Sequence, residues 1–78
     1  MGYRGVMSEN LPPFGPVLRR FRLSKNLSQE ELAARLDISP SYVSRMESGF
    51  KIPSLTMIFR LARVLEVKPH ELVKTMEN

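Results

Sequence analysis

Residues 28–33, Ser28-Gln29-Glu30-Glu31-Leu32-Ala33, and residues 38–49, Ile38-Ser39-Pro40-Ser41-Tyr42-Val43-Ser44-Arg45-Met46-Glu47-Ser48-Gly49, decide the fold. Both segments open on a helix-start signal. Ser28 followed three residues later by Glu31 is a capping box: the hydroxyl accepts from the Glu31 amide while the carboxylate takes the Ser28 amide. Leu27 and Leu32 stand where a hydrophobic staple closes over that start. Ser39 is a second N-cap with Pro40 at the first helical position, and Ile38 with Val43 repeat the staple. Gly49 ends the second helix, because glycine enters the left-handed conformation without a Cβ clash. Only Asp37-Ile38-Ser39 separates the two helices, which is turn length.

Two short helices joined by so tight a turn cross steeply, as a helix-turn-helix does. The crossing needs a small residue, and Ala33 supplies it. Leu32, Leu36, Ile38, Val43 and Met46 close the inner face, which leaves Ser41, Tyr42, Ser44 and Arg45 on a polar outer face. Toward the N-terminus, a helix is expected from Pro16 to Lys25, with Val17, Leu18, Phe21 and Arg22 on one side and Asn26 at its end. Residues 1–15 hold every glycine but Gly49, together with Pro12 and Pro13, and show no helical period. They read as a flexible arm, and residues 16–78 as the folded domain.

Toward the C-terminus, the connector Lys51-Ile52-Pro53 leads to Ser54, the N-cap of a fourth helix. Leu55, Ile58, Phe59, Ala62 and Leu65 recur at helical spacing and are expected to be its core stripe. A fifth helix starts near Pro69 and carries Leu72, Val73 and Met76. With no strand-like alternation anywhere, the chain is expected to be all-α, five helices in a compact bundle. Met57, Leu61 and Val64 form a second apolar line on the fourth helix. With Val73 and Met76 they make either an exposed patch for a second copy or the flank of a wide core.

Composition narrows the function classes. The chain has 78 residues, enough for one domain, and no Cys, so neither a disulfide nor a thiolate metal site exists. The single His70 cannot build a metal site alone. No apolar run approaches the ~18 residues of a membrane span, and the first residues lack the apolar stretch of a signal peptide. A cytoplasmic protein is expected, with no cofactor and no small-molecule ligand. Lys and Arg number 12 against 8 Asp and Glu, a net charge of +4 that suits a polyanion. No nucleophile, carboxylate pair or Gly-rich phosphate loop points to an enzyme.

The stretch from Ser28 to Ala33 and from Ser44 to Gly49, continuing through Ile52-Pro53-Ser54-Leu55 and Leu61-Ala62-Arg63-Val64-Leu65, resembles the phage-repressor (Cro-like, XRE) helix-turn-helix family. The resemblance runs from about Val17 to Leu72 and implies a lambda-repressor-like DNA-binding fold. Two positions depart from the family's usual glycines: Asp37 in the turn and Glu66 after the fourth helix.

The resemblance implies that the helix starting at Ser39 and Pro40 enters the major groove. Pro40 and Ser41 then lie deepest, and Arg45 can fork onto guanine O6 and N7. Tyr42 and Ser44 reach a base edge or a phosphate, Gln29 clamps a phosphate at the start of its helix, and Lys51 contacts another. Arg22 and Glu47 fall where the family forms a partly buried ion pair. Each admits a plainer reading: Arg45 as a solvated charge, Tyr42 as surface packing, Gln29 as a helix-start residue. The function this implies is a sequence-specific repressor of double-stranded DNA, acting as a homodimer on a two-fold operator. A different class remains open, an antitoxin-like module that holds a partner protein on its apolar helix 4/5 face.

Overall fold

The computed structural model describes residues 14–77 of the chain. Among these residues five helices follow in order: α1 (Phe14–Ser24), α2 (Gln29–Leu36), α3 (Pro40–Ser48), α4 (Leu55–Leu65) and α5 (Pro69–Glu77). Among the described residues there is no strand.

The starts form as local chemistry dictates. Ser28 and Glu31 complete both halves of their capping box, at 2.9 and 2.8 Å. The Ser39 and Ser54 hydroxyls accept from the amides of Tyr42 and Met57. Such a cap contributes ~1 kcal/mol by satisfying an amide that the helix itself leaves unpaired.

The ends are closed by one repeated device. Asn26, Asp37, Gly49 and Glu66 all take positive φ, between 58° and 91°. The amide of the next residue then donates to the carbonyl five residues back: Leu27 to Arg22, Ile38 to Ala33, Phe50 to Arg45 and Val67 to Ala62. This closure satisfies carbonyls at the helix end and places an apolar residue just beyond it. Leu27, Ile38 and Val67 turn that side chain toward the core, whereas Phe50 stays in solvent. Asp37 and Glu66 thus do what the glycines they replace would do, at the steric cost a Cβ brings. Glu66 also pairs with Lys25, Nζ to carboxylate oxygen 2.9 Å. The Lys25 hydrogen bond and charge hold its pKa below the ordinary carboxylate value.

The centre of the core is aliphatic, with Phe14 at its edge. Leu18, Leu32, Leu36, Val43, Met46, Leu61, Leu65 and Leu72 are its largest fully enclosed side chains. α3 packs against both α2 and α1, while α4 lies on α2 and α5. At the α1–α3 contact the backbones nearly touch: a Cβ added at Gly15 would lie 2.1 Å from the Glu47 carbonyl oxygen. Only glycine allows that approach.

Two expectations from sequence need correction. α1 begins at Phe14, not Pro16, so Phe14 and Gly15 belong to the folded domain and both are buried. The rest of the expected arm, residues 1–13, lies outside the described residues.

The stripes of α4 are also partly exchanged. Met57 and Leu61, offered either as a dimer face or as the flank of a wide core, are buried in the core and so are not a dimer face, and Val64 and Val73 rest half-buried against it. Leu55 and Phe59, expected in the core, are 68% and 54% exposed. Apart from the side that carries Thr56, Arg60 and Arg63, the helix is apolar over more than half its circumference, so period alone does not choose its inner face. The choice is made by two neighbours, α2 and α5, which enclose Met57, Ile58, Leu61, Ala62 and Leu65 between them. The side chain of Met76 lies outside the described residues.

Candidate nucleic-acid interface

α3 is anchored on its inner side and free on its outer side. Val43 and Met46 sit in the core. Behind them, the Arg22 guanidinium grips the Glu47 carboxylate with two bonds, Nε to Oε2 at 2.6 Å and Nη2 to Oε1 at 3.1 Å. Both side chains are more than nine-tenths buried. A third guanidinium bond, Nη1 to the Leu27 carbonyl at 2.7 Å, ties the same arginine to the start of α2. Gln29 Nε2 donates to Glu47 Oε1 at 3.0 Å. The ion pair expected between Arg22 and Glu47 is therefore the centre of a network joining α1, α2 and α3. Every buried side-chain polar atom among the described residues has a partner, which a buried charge pair requires if it is not to destabilise.

The outer side of α3 presents Pro40, Ser41, Ser44, Arg45 and Ser48, all exposed. Ser39 shares a 3.2 Å hydrogen bond between hydroxyls with Ser41 while its oxygen caps the helix. The Arg45 guanidinium has neither hydrogen bond nor ion pair among the described residues. Its five donors are unspent. Tyr42 is half-buried and packs on the core, with Lys51 Nζ 5.6 Å from the centre of its ring. That contact, a cation over an aromatic face, places the Lys51 ammonium at the C-terminal edge of the same surface.

A crevice of about 410 Å³ opens beside α3, lined by Arg19, Arg22, Gln29, Ser44, Glu47 and Ser48. Gln29 stands in it with one amide hydrogen on Glu47 and, among the described residues, no partner for the second. Arg19 and Ser48 were not singled out from the sequence. Arg19 lies one turn before Arg22 on α1, so the i, i+3 spacing was the available signal. Its guanidinium has no partner among the described residues. Among the described residues the crevice thus collects an unpaired cation, an open amide donor and the Ser44 hydroxyl beside the N-terminus of α2, donors suited to a phosphate oxygen. The Ser48 hydroxyl already donates to the Arg45 carbonyl.

Two short helices crossed over an aliphatic core, the second with a free arginine on its outward face, define a DNA-binding helix-turn-helix protein. The helix-turn-helix family profile matches residues 18–72. The chain belongs to that family of DNA-binding transcriptional regulators, the Cro-like, XRE type, whose members are not enzymes. It is 41% identical over 61 residues to the control protein C.BamHI of Bacillus amyloliquefaciens, covering 77% of this chain and 75% of that one. The crystal structure of the restriction-modification controller protein C.AhdI from Aeromonas hydrophila superposes with a TM-score of 0.75 at 42% identity, covering 82% of this chain and 97% of that one. The master regulator of biofilm formation SinR, solved in complex with DNA, gives 0.72 at 30% identity, over 77% of this chain and 97% of that one. No helix among the described residues is long and apolar enough to cross a membrane.

Proposed function

We propose that this protein is a cytoplasmic, sequence-specific repressor that binds double-stranded DNA as a homodimer on a two-fold operator. The observation that carries this reading is the unpaired Arg45 guanidinium on the exposed face of an otherwise clamped α3. An arginine so placed can take two acceptors of guanine at once. Pro40, Ser41 and Ser44 then approach the groove floor, Ser39 caps the entering helix, and Tyr42 and Lys51 flank the backbone. Arg19 and Gln29 receive a phosphate in the crevice. Likeness to two control proteins, one of them a restriction-modification controller, supports a narrower version in which the regulated genes are of that kind.

For the homodimer, the exposed apolar residues supply the contact: Ile52 and Leu55, 75% and 68% exposed, lie between the end of α3 and the first turn of α4. This face replaces the one built on Met57 and Leu61. Two recognition helices joined by a two-fold axis would read half-sites about one DNA turn, ~34 Å, apart.

Selection of bound sites from random duplex DNA tests the whole reading. A palindrome with that spacing is the expected product, with affinity falling steeply as salt rises. Recovery of sequences with no shared motif, or an affinity flat with salt, would refute it.

A further inference from the structure

A second groove lies away from the surface that carries Arg45. It runs between the C-terminal end of α2 and the outward side of α4, with a volume of about 370 Å³. Arg35, Phe59, Arg60 and Arg63 form its walls over Leu36 and Val64. Arg60 is already engaged, because its Nη2 donates to the Leu36 carbonyl at the end of α2. Arg35 and Arg63 are exposed and have no hydrogen bond or ion pair among the described residues.

A cation in the last turn of a helix is favourable on its own account, through the helix dipole. That explains one arginine on each helix. It does not explain why they share a groove with a phenyl ring more than half in water. Nor does a carboxylate line the groove. Glu66 is near enough for Arg35 to help lower its pKa, but Lys25 is its chief partner and holds it. The groove therefore offers two unneutralised guanidinium groups and one unsatisfied apolar surface.

We propose that this groove docks an acidic amphipathic segment of a partner protein. Two carboxylates would take Arg35 and Arg63 in charge-assisted, forked bonds. One apolar side chain between them would cover Phe59 and Val64. DNA fits this groove less well. Gln29 and Arg35 are six residues apart on α2, so their side chains are separated by roughly 9 Å along the axis and about 120° around it. A duplex seated on Gln29 and α3 leaves Arg35 on another side. A phosphate would also leave the Phe59 ring uncovered.

The peptide selection uses the full chain without DNA, so its outcome does not depend on the DNA-binding reading, and a separate duplex titration of the variants asks whether the groove is a DNA contact. A displayed library of random dodecapeptides is selected on the immobilised protein, and the enriched peptides are titrated by fluorescence anisotropy. Expected sequences carry two or more Asp or Glu with Leu, Phe or Met three or four positions away. Arg35→Gln combined with Arg63→Gln should weaken them about a hundredfold, since a hydrogen bond to a charged group is worth about tenfold or more. Phe59→Ala should weaken them as well. Circular dichroism checks that these surface variants stay folded, and Arg35→Lys with Arg63→Lys, which keeps the charge and loses the fork, should fall in between. Enrichment without acidic residues, or equal binding to the double Gln variant, overturns the proposal. So does a loss of affinity for every duplex in that variant, which would make the groove a DNA contact.

Discussion

Arg45 is the long, multi-donor side chain among the exposed residues of α3, where Pro40, Ser41, Ser44 and Ser48 are short. Sequence discrimination should lean on it, because a bidentate arginine–guanine pair gives ~1–3 kcal/mol against the wrong base. Arg45→Ala is expected to relax preference at one base pair per half-site. Lys51→Ala should instead weaken all sequences by a similar factor and flatten the salt dependence. Affinities against single-base operator variants separate the two, and a uniform loss from Arg45→Ala would mark it as a phosphate contact. Glu47 is a different case. Glu47→Gln places an amide against donors from Arg22 and Gln29, and breaking a buried pair costs ~3–5 kcal/mol. In a domain this small most of the chain should melt well below the wild-type temperature, and an unchanged melting curve would contradict the burial seen here. The Arg22–Glu47 pair was legible in advance, because the two positions match a family pattern. The crevice did not read out, because Arg19 acquires its meaning only when α1 is laid beside Gln29 and Ser44.

Helix boundaries were legible wherever a side chain fixes them locally. Ser28, Ser39 and Ser54 cap as their spacing predicts, and Asp37 turns the chain at φ 58°. The start of α1 was not legible, because Phe14 and Gly15 are helical through packing on α3 and no capping motif announces them. The close approach at Gly15 gives an element-scale prediction. Gly15→Ala improves intrinsic helix propensity by up to ~1 kcal/mol, yet its Cβ would press on the Glu47 backbone. Backbone cannot swing aside as a side chain would, and overpacking of this kind costs ~1–3 kcal/mol. Thermal unfolding should therefore show destabilisation, against the propensity scale. A stabilised variant would mean that α1 can slide on α3.

The proposed homodimer turns on which face of α4 is outside. Sequence periodicity offered two apolar stripes, and the enclosing pair α2 and α5 selects between them. Leu55→Lys should leave the fold intact while yielding a monomer with weaker operator binding. Leu61→Lys should unfold the domain, since that side chain is fully enclosed. Sedimentation together with circular dichroism distinguishes these outcomes, and a Leu55→Lys protein that sediments as the wild type does would refute the proposed contact at Ile52 and Leu55. The all-α architecture itself was readable because caps, apolar period and turn residues agree at every level.

The clamp on α3 also separates two kinds of change. Glu47, Met46 and Val43 bind the helix to its neighbours, while the side chains of Ser41, Ser44 and Arg45 make no hydrogen bond or ion pair among the described residues beyond the Ser39–Ser41 contact. Lineages can then rewrite the outward letters one at a time without re-solving the inward ones. A descendant with a new operator would need no compensating mutation in the hydrophobic interior, so regulatory specificity can diverge at the pace of single substitutions.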